Sequence, residues 1–518
     1  MGAITPELPK KERLLASHLR DFVDSERNDT VAVIAGIRKT GKTTILNQIE
    51  AHYEKRGLNV LKFNLNARHD CCEVLDEVAK NAPDLLLLDE ISYLDNYEMF
   101  SEGLYNMTGG ENHKKFKVVM TGSSSAHALK LSKTKLGARA KLFRLPPLTF
   151  VEYLYFTGRI PSYSEYNSVT NEDFPDYLQL KGLEDKAGGL AIAFDEDYFN
   201  VFYDEVEISN IKSHLSHSIT ELNENDLPNM VNLLAYKLSE ACAYEKMTKP
   251  DAGKQEHIHL VNSNQAKLKW SRVDLSDTII EDSAKAAPGI KVSDIGRILH
   301  FLLWAGLAIV EHIHPSPESQ HQNGISVAEI LKNCTQKKEL QDLFKRVSIC
   351  MSSPLYYTRI GEEIMRRMQV PAEKLYKGIL YGKMLELYVR GALASRVKNT
   401  ILSSHKLKYS EVEGEDWEVD ICDTRNRVLL EVSARDKGDD EIHVQDYYKE
   451  HDFIRICTSG QKSFFNKKHR FYQIPHAKLC CMADTGDIFT RLRATNMIDN
   501  LDIDSIADEY KTNFGDTT

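Results

Sequence analysis

No two of the nine cysteines in this chain are spaced Cys-x-x-Cys, which excludes a zinc knuckle and a dithiol redox motif. The adjacent pairs Cys71-Cys72 and Cys480-Cys481, with the others scattered among apolar neighbours, fit reduced thiols in the cytoplasm, the expected location. Long apolar runs are also missing: the longest, Ile298 to Val310, is interrupted by His300. It falls short of the roughly 20 residues that cross a bilayer, so no membrane contact is expected. The N-terminus has no apolar signal region, and Pro6 stands where a myristoylation signal needs Ser or Thr. Nor is there a surplus of positive charge, since 66 Lys and Arg against 76 Asp and Glu leave a net charge of −10. A chain coated in basic surface is thereby excluded, and any nucleic-acid contact has to come from a local patch. What is present is a hydrophobic content of 42% over 518 residues, enough for several packed cores and unlike a disordered or fibrous chain.

The apolar run Thr30-Val-Ala-Val-Ile-Ala35 leads directly into Gly36-Ile37-Arg38-Lys39-Thr40-Gly41-Lys42-Thr43-Thr44. Strand, glycine-bounded turn and Lys-Thr pair form a phosphate-binding loop. Gly36 and Gly41 let the backbone fold around a polyphosphate with its N–H groups inward, and the helix from Lys42 brings its positive dipole end to the same place. Lys42 supplies a point charge for the outer phosphates, and Thr43 offers its hydroxyl to a magnesium ion. ATP and Mg2+ are the expected ligands. Beyond the loop, a helical pattern over Thr43 to Tyr53, a strand over Asn59 to Leu65 and a helix over Cys72 to Lys80 predict a parallel sheet covered on both faces.

Asp84-Leu-Leu-Leu-Leu-Asp89-Glu90 is a buried strand that ends in two carboxylates, placing them at the C-terminal sheet edge where ligands of such folds sit. Asp89 is expected to hold the magnesium ion, directly or through water, and Glu90 to polarise the attacking water. The next strand, Lys117 to Thr121, runs into Gly122-Ser123-Ser124-Ser125. Hydroxyls such as that of Ser123 can sense the γ-phosphate or hold the water, and they can equally cap a helix starting near Ala126.

These motifs, followed by Gly137-Ala138-Arg139 and by Leu145-Pro-Pro-Leu-Thr-Phe-Val-Glu-Tyr-Leu154, resemble prokaryotic AAA-type ATPases related to the STAND class, over about residues 10–155. The resemblance implies that Arg139 acts as a finger reaching a nucleotide, often that of a neighbouring subunit, and hence a homo-oligomer. Ala138 departs from the usual Gly-Arg. A kinase of small molecules also fits the loop but leaves the C-terminal third unexplained.

Pro146-Pro147 ends this core, and Thr149 with Glu152 forms a capping box that opens the next module. Residues 155–226 are acidic and tyrosine-rich, Leu227 to Tyr244 reads as an amphipathic helix, and Thr248 to Ser276 as a loop or insertion. From Lys291 a capped helix, a glycine stop at Gly306 and a strand resemble part of the winged-helix domain carried by these ATPases, with Arg297 exposed toward phosphates.

In the last third a helix over Tyr381 to Arg390 is followed by strands near Lys406 to Glu411, Trp417 to Cys422 and Arg427 to Ser433. Asp420 and Glu431 flank a short turn and can meet at the open end of a hairpin to share a divalent metal. With Glu386 they resemble the restriction-endonuclease-like PD-(D/E)xK domain, over about residues 375–480, which implies metal binding and DNA cleavage. The lysine expected by that pattern is Ser433, which carries no cation for the nucleophilic water; Arg435, Lys437 and Gln445 are the nearby substitutes. An active nuclease and a metal-free fold both remain open. Gln461 to Tyr472 interleaves cations with aromatics, as a nucleic-acid contact or a solvated loop would.

The fold class expected is α/β: a P-loop NTPase parallel-sheet core over residues 1–147, a helical lid with insertion over 148–285, a winged-helix-like domain over 286–372, an α/β restriction-endonuclease-like domain over 373–485 and an acidic tail over 486–518. The expected function is a Mg2+-dependent ATPase acting through its C-terminal domain on DNA, with an ATP-gated switch or scaffold as the alternative. A role in defence against foreign DNA is implied by the resemblance alone.

Overall fold

The computed structural model describes residues 11–183, the C-terminal elements from residue 290 to residue 486, and positions 234, 279–281 and 283, with short gaps at 27–29, 37–39, 66–69, 95, 110–115, 123–135, 137–138, 305–307, 314–326, 345–346, 356–378, 397–401, 409–415, 424–427, 433–453, 459–463 and 467–470. The expected helix over 227–244, the insertion over 248–276 and the tail over 486–518 therefore lie almost wholly outside the described residues. The chain divides into two compact units, the first made mainly of Met1–Leu148 and the second of Thr149–Lys181 and nearly all the later elements.

The first unit is a five-stranded parallel sheet. Its strands are β1 (Val31–Ala35), β2 (Val60–Asn64), β3 (Leu85–Asp89), β4 (Lys117–Gly122) and β5 (Ala140–Arg144), in the order β2-β3-β4-β1-β5. β1 and β3 are buried at every residue, which is why they read as unbroken apolar runs. Alternate residues feed two cores. Val31, Val33, Leu86, Leu88, Val118 and Met120 pack on one face under α3 (Cys71–Asn81) and α4 (Tyr97–Gly109). On the other face Ala32, Ile34, Leu85, Leu87 and Val119 pack under α1 (Leu14–Asp24) and α2 (Lys42–Lys55). Asp70 caps α3 by accepting from the Cys72 amide at 2.8 Å, whereas α2 has Gly41 at its N-cap and no side chain across its first amides.

The second unit opens with α5 (Phe150–Thr157), where the Thr149 and Glu152 side chains form the expected capping box. The remaining amides of that first turn are taken by distant residues. Val151 N donates to Asp484 at 2.9 Å, Phe150 N donates to the Tyr388 hydroxyl, and Tyr388 in turn donates to Asp484 at 2.7 Å. Asp484, fully buried, thus sits at the positive end of the α5 dipole, where a carboxylate is stabilised. Tyr388 lies on α10 (Ile379–Arg396) and Asp484 on α11 (His476–Thr485), and Phe150 of α5, Phe174 and Tyr177 of α6 (Asp173–Leu178), Tyr381 and Tyr388 pack edge to face around them. Residues 149–181, expected at the start of a lid, belong to this C-terminal packing.

An eight-stranded mixed sheet runs through the second unit in the order β12-β13-β11-β10-β9-β8-β6-β7. Helix α7 (Val292–Trp304) precedes β6 (Ala308–Ile313), which pairs antiparallel with β7 (Val347–Met351) after the short helices α8 (Val327–Asn333) and α9 (Lys337–Phe344). β6 also pairs in parallel with β8 (Leu402–Lys408) at His312↔Ser403 and Ile313↔Ser404. The strands expected in a winged helix and those expected in a nuclease-like domain therefore share one sheet; alternation marks a strand but not the partner that covers its edge. After α10, the strands β8, β9 (Asp416–Asp423) and β10 (Val428–Glu431) form an antiparallel meander, and β11 (Ile454–Thr458) lies parallel to β10. β12 (Phe464–Asn466) and β13 (Phe471–Ile474) complete the sheet. β8 begins four residues before the expected Lys406 start.

His476, at the start of α11, is 4% exposed, with Nε2 2.9 Å from the Tyr381 hydroxyl and 3.3 Å from the Asn171 carbonyl oxygen. Burial pushes its pKa down to about 4 from 6.5. Above pH 6.5 both folded and unfolded chains hold it neutral; as pH falls toward 4 the unfolded chain takes up the proton first. The second unit is expected to lose up to about 3 kcal/mol across that window, and His476→Phe to flatten this acid limb. Thermal midpoints recorded from about pH 7.5 down to about pH 4.5 check it.

Candidate functional site

β1 delivers the chain at Ala35 to the C-terminal sheet edge, where Gly36 begins a tight loop. A Cβ at Gly36 would lie 2.7 Å from the Leu145 carbonyl oxygen, so only glycine fits there. The loop ends at Gly41, whose φ of 91° is the left-handed conformation open to glycine, and α2 begins at Lys42. Lys42 is 7% exposed and its Nζ donates to the Gly36 carbonyl oxygen at 2.7 Å, so the ammonium spans the loop from end to start. Thr40 is buried, Thr43 exposed and Thr44 half-buried. Ile37, Arg38 and Lys39 lie outside the described residues.

The acid pair stands at the same edge. Met120 of β4 pairs with Leu88 on one side and Val33 on the other, so the next row holds Asp89, Thr121 and Ile34. Asp89 is 8% exposed and accepts from the Thr121 hydroxyl at 2.5 Å. Thr121 Oγ1 also accepts from the Glu90 amide at 3.2 Å. Glu90 has a φ of 63°, a left-handed conformation that costs a non-glycine residue on the order of 1 kcal/mol. That turn takes its half-buried side chain out of the strand alternation. β3 lies two strands from β1, about 10 Å at ordinary strand spacing. The span suits a terminal phosphate and a water between the loop and the acids.

Thr121 is the residue that sequence reasoning passed over. The signal was a hydroxyl ending an otherwise apolar strand, but its target, Asp89, is 32 residues away and visible only once β3 and β4 are paired. Ser123 lies outside the described residues.

Arg139 is at the other end of the sheet. Its carbonyl oxygen accepts from the Thr30 amide, before β1 begins, and its guanidinium lies 4.0 Å from the centre of the Tyr105 ring and donates to the Tyr105 carbonyl oxygen at 2.9 Å. The five residues of β1 separate it from its own phosphate loop, about 17 Å at strand rise.

In the second unit, the last printed rung of the β9–β10 ladder pairs Leu430 with Ile421, which leaves Asp420 and Glu431 each one residue further on, at the open end of the hairpin. Glu386 on α10 is 2% exposed and accepts from Arg390, equally buried, at 2.6 Å one helical turn away. Ser433, Arg435, Lys437 and Gln445 lie outside the described residues.

A strand, a glycine-bounded loop closed by a lysine, and an acid pair at the same edge of a parallel sheet define a P-loop nucleotide-binding domain. Residues 28–154 match the model of the AAA_14 family, an AAA domain, and the match ends within α5. Two uncharacterized proteins of Methanocaldococcus jannaschii are similar, one at 25% identity over 275 residues (45% of this chain, 54% of the relative) and the other at 28% over 267 residues (46% and 57%). The chain thus spans little more than half the length of these relatives. Among solved structures, the ORC2 protein of Aeropyrum pernix in its ADP form is similar at 12% identity with a TM-score of 0.28, covering 66% of this chain and 97% of that one. A Walker-type ATPase of Pyrococcus abyssi is similar at 13% identity with a TM-score of 0.28, covering 55% and 93%. No described helix is long and apolar enough to cross a membrane.

Proposed function

We propose that the chain is a magnesium-dependent ATPase whose nucleotide cycle controls a C-terminal nuclease-like domain acting on DNA. The observation that carries the ATPase reading is the hydrogen-bonded set of Asp89, Thr121 and Glu90 at the same sheet edge as the loop closed by Lys42. The exposed Thr43 hydroxyl and the Asp89 carboxylate are hard oxygen donors that fit Mg2+, which would neutralise phosphate charge when bound. Lys42 and the uncapped amides of α2 bind the phosphates, Asp89 is fixed by Thr121, and Glu90 accepts the proton of the attacking water. Arg139 lies at the far end of β1 from its own loop, so the same reading has it meet the phosphate of another copy in a homo-oligomer, with the cytoplasm as the location. A defence role rests on the resemblance described above.

For the second unit, the helix, three-stranded meander and parallel fourth strand support a nuclease-like fold, with Asp420 and Glu431 as the metal pair. A second reading, an ATP-gated DNA- or protein-binding switch without cleavage, is favoured by one specific contact: the Glu386 carboxylate is held in a buried ion pair with Arg390. Plasmid and linear DNA incubated with the protein, Mg2+ or Mn2+, and ATP distinguish the two. Nicking that disappears in Glu431→Ala supports the nuclease; intact DNA under every nucleotide condition leaves the switch.

A further inference from the structure

Arg13, at the N-cap of α1, is 4% exposed, and its guanidinium is turned into the first unit rather than to water. Nη1 donates to the Thr40 carbonyl oxygen at 2.7 Å; Nη2 donates to the Pro146 carbonyl oxygen at 3.0 Å and to that of Pro147 at 3.4 Å. Three carbonyls from two distant segments converge on one guanidinium, a forked donor with no acceptor of its own. One of them belongs to the phosphate loop itself.

The geometry points to Arg13 as a positioning residue of the nucleotide site, resting on the ATPase reading above. The physical step is the trans peptide between Thr40 and Gly41. In a planar trans unit the C=O and the following N–H point in opposite directions. Holding the Thr40 oxygen against Arg13 therefore aims the Gly41 amide away from Arg13, next to the start of α2, where a phosphate oxygen needs a donor. Gly41 is free to follow because its left-handed φ carries no side-chain penalty. The second hand of the fork fixes the frame: Pro146 and Pro147 follow Leu145, whose carbonyl oxygen sits against Gly36 at the loop's other end. Arg13 and Leu145 together clasp both ends of the loop, and the buried charge adds positive potential behind it. Prolines lack an amide, so the carbonyls are all that this stretch of backbone offers, and a forked donor suits them better than a point charge.

Because the guanidinium holds the loop in the free protein as much as in the transition state, its loss weakens ATP binding uniformly and raises KM more than it lowers kcat. Arg13→Ala is expected to raise KM for Mg·ATP, and the calorimetric Kd for a non-hydrolysable analogue, by about thirtyfold, with kcat within a factor of about three. Arg13→Lys, which keeps the charge and reaches one carbonyl at a time, is expected to recover part of the affinity. A purely structural role would instead lower the melting temperature without nucleotide and leave KM of the folded fraction unchanged. Wild-type KM and Kd in folded Arg13→Ala overturn the proposal, and if that variant does not fold, wild-type values in Arg13→Lys do so. A wild-type protein that binds no nucleotide overturns the ATPase reading together with this one, whereas a wild-type protein that binds beside a variant that binds equally overturns this proposal alone.

Discussion

Glu90→Gln is expected to lower the rate of ATP hydrolysis by about 10³-fold while changing the Kd for Mg·ATP by no more than a factor of about three. Gln matches Glu in shape and tolerates the same backbone, so the left-handed turn at this position and the bond from its amide to Thr121 persist. What disappears is the carboxylate that takes a proton from water. The strain in this turn is maintained by its surroundings, with Leu88 and Ile91 fully buried on either side and Thr121 bridging the Glu90 amide to Asp89. A residue held in that conformation at a ligand-facing edge fits a side chain that has to face substrate rather than core. Single-turnover hydrolysis with bound ATP separates the chemical step from binding, and wild-type turnover in the variant contradicts the role.

Lys42→Ala is expected to raise the Kd for Mg·ATP by at least about 10²-fold and to remove measurable hydrolysis. The ammonium is buried at the mouth of the loop, donating to the Gly36 carbonyl oxygen, and there it can transfer to a phosphate oxygen without rebuilding the loop. Without nucleotide the melting temperature of the variant should move little, because Gly36 and Gly41 hold their conformations through backbone sterics and the Leu145 contact. With nucleotide the two proteins separate: ligand at about 100 times the wild-type Kd adds about 2.7 kcal/mol to the wild type and no more than about 0.4 kcal/mol to the variant. A variant stabilised by ATP as strongly as the wild type contradicts the assignment.

The parts of this site that were legible from the sequence are those fixed by local backbone geometry. Gly36 and Gly41 are spaced for a loop that only glycine can enter and leave, and the four leucines before Asp89 announce a buried strand with acids at its end. The box of Thr149 and Glu152 was readable because both halves lie within one turn. What was not legible depends on long-range pairing. Thr121 acquires its meaning only beside Asp89, and Arg13 reaches a carbonyl 133 residues away at Pro146. Likewise, Glu386 looks like any helix carboxylate until Arg390 is seen buried against it, and nothing in the strand patterns of 308–313 and 402–408 announces that they pair. Periodicity reports which face of an element is covered, not by what.

Isothermal calorimetry of Mg·ATP titrated into folded protein tests the central claim most directly. One saturable site per chain, lost in Lys42→Ala, is the predicted result; a titration with no binding heat from protein whose fold is verified by its thermal transition would contradict it.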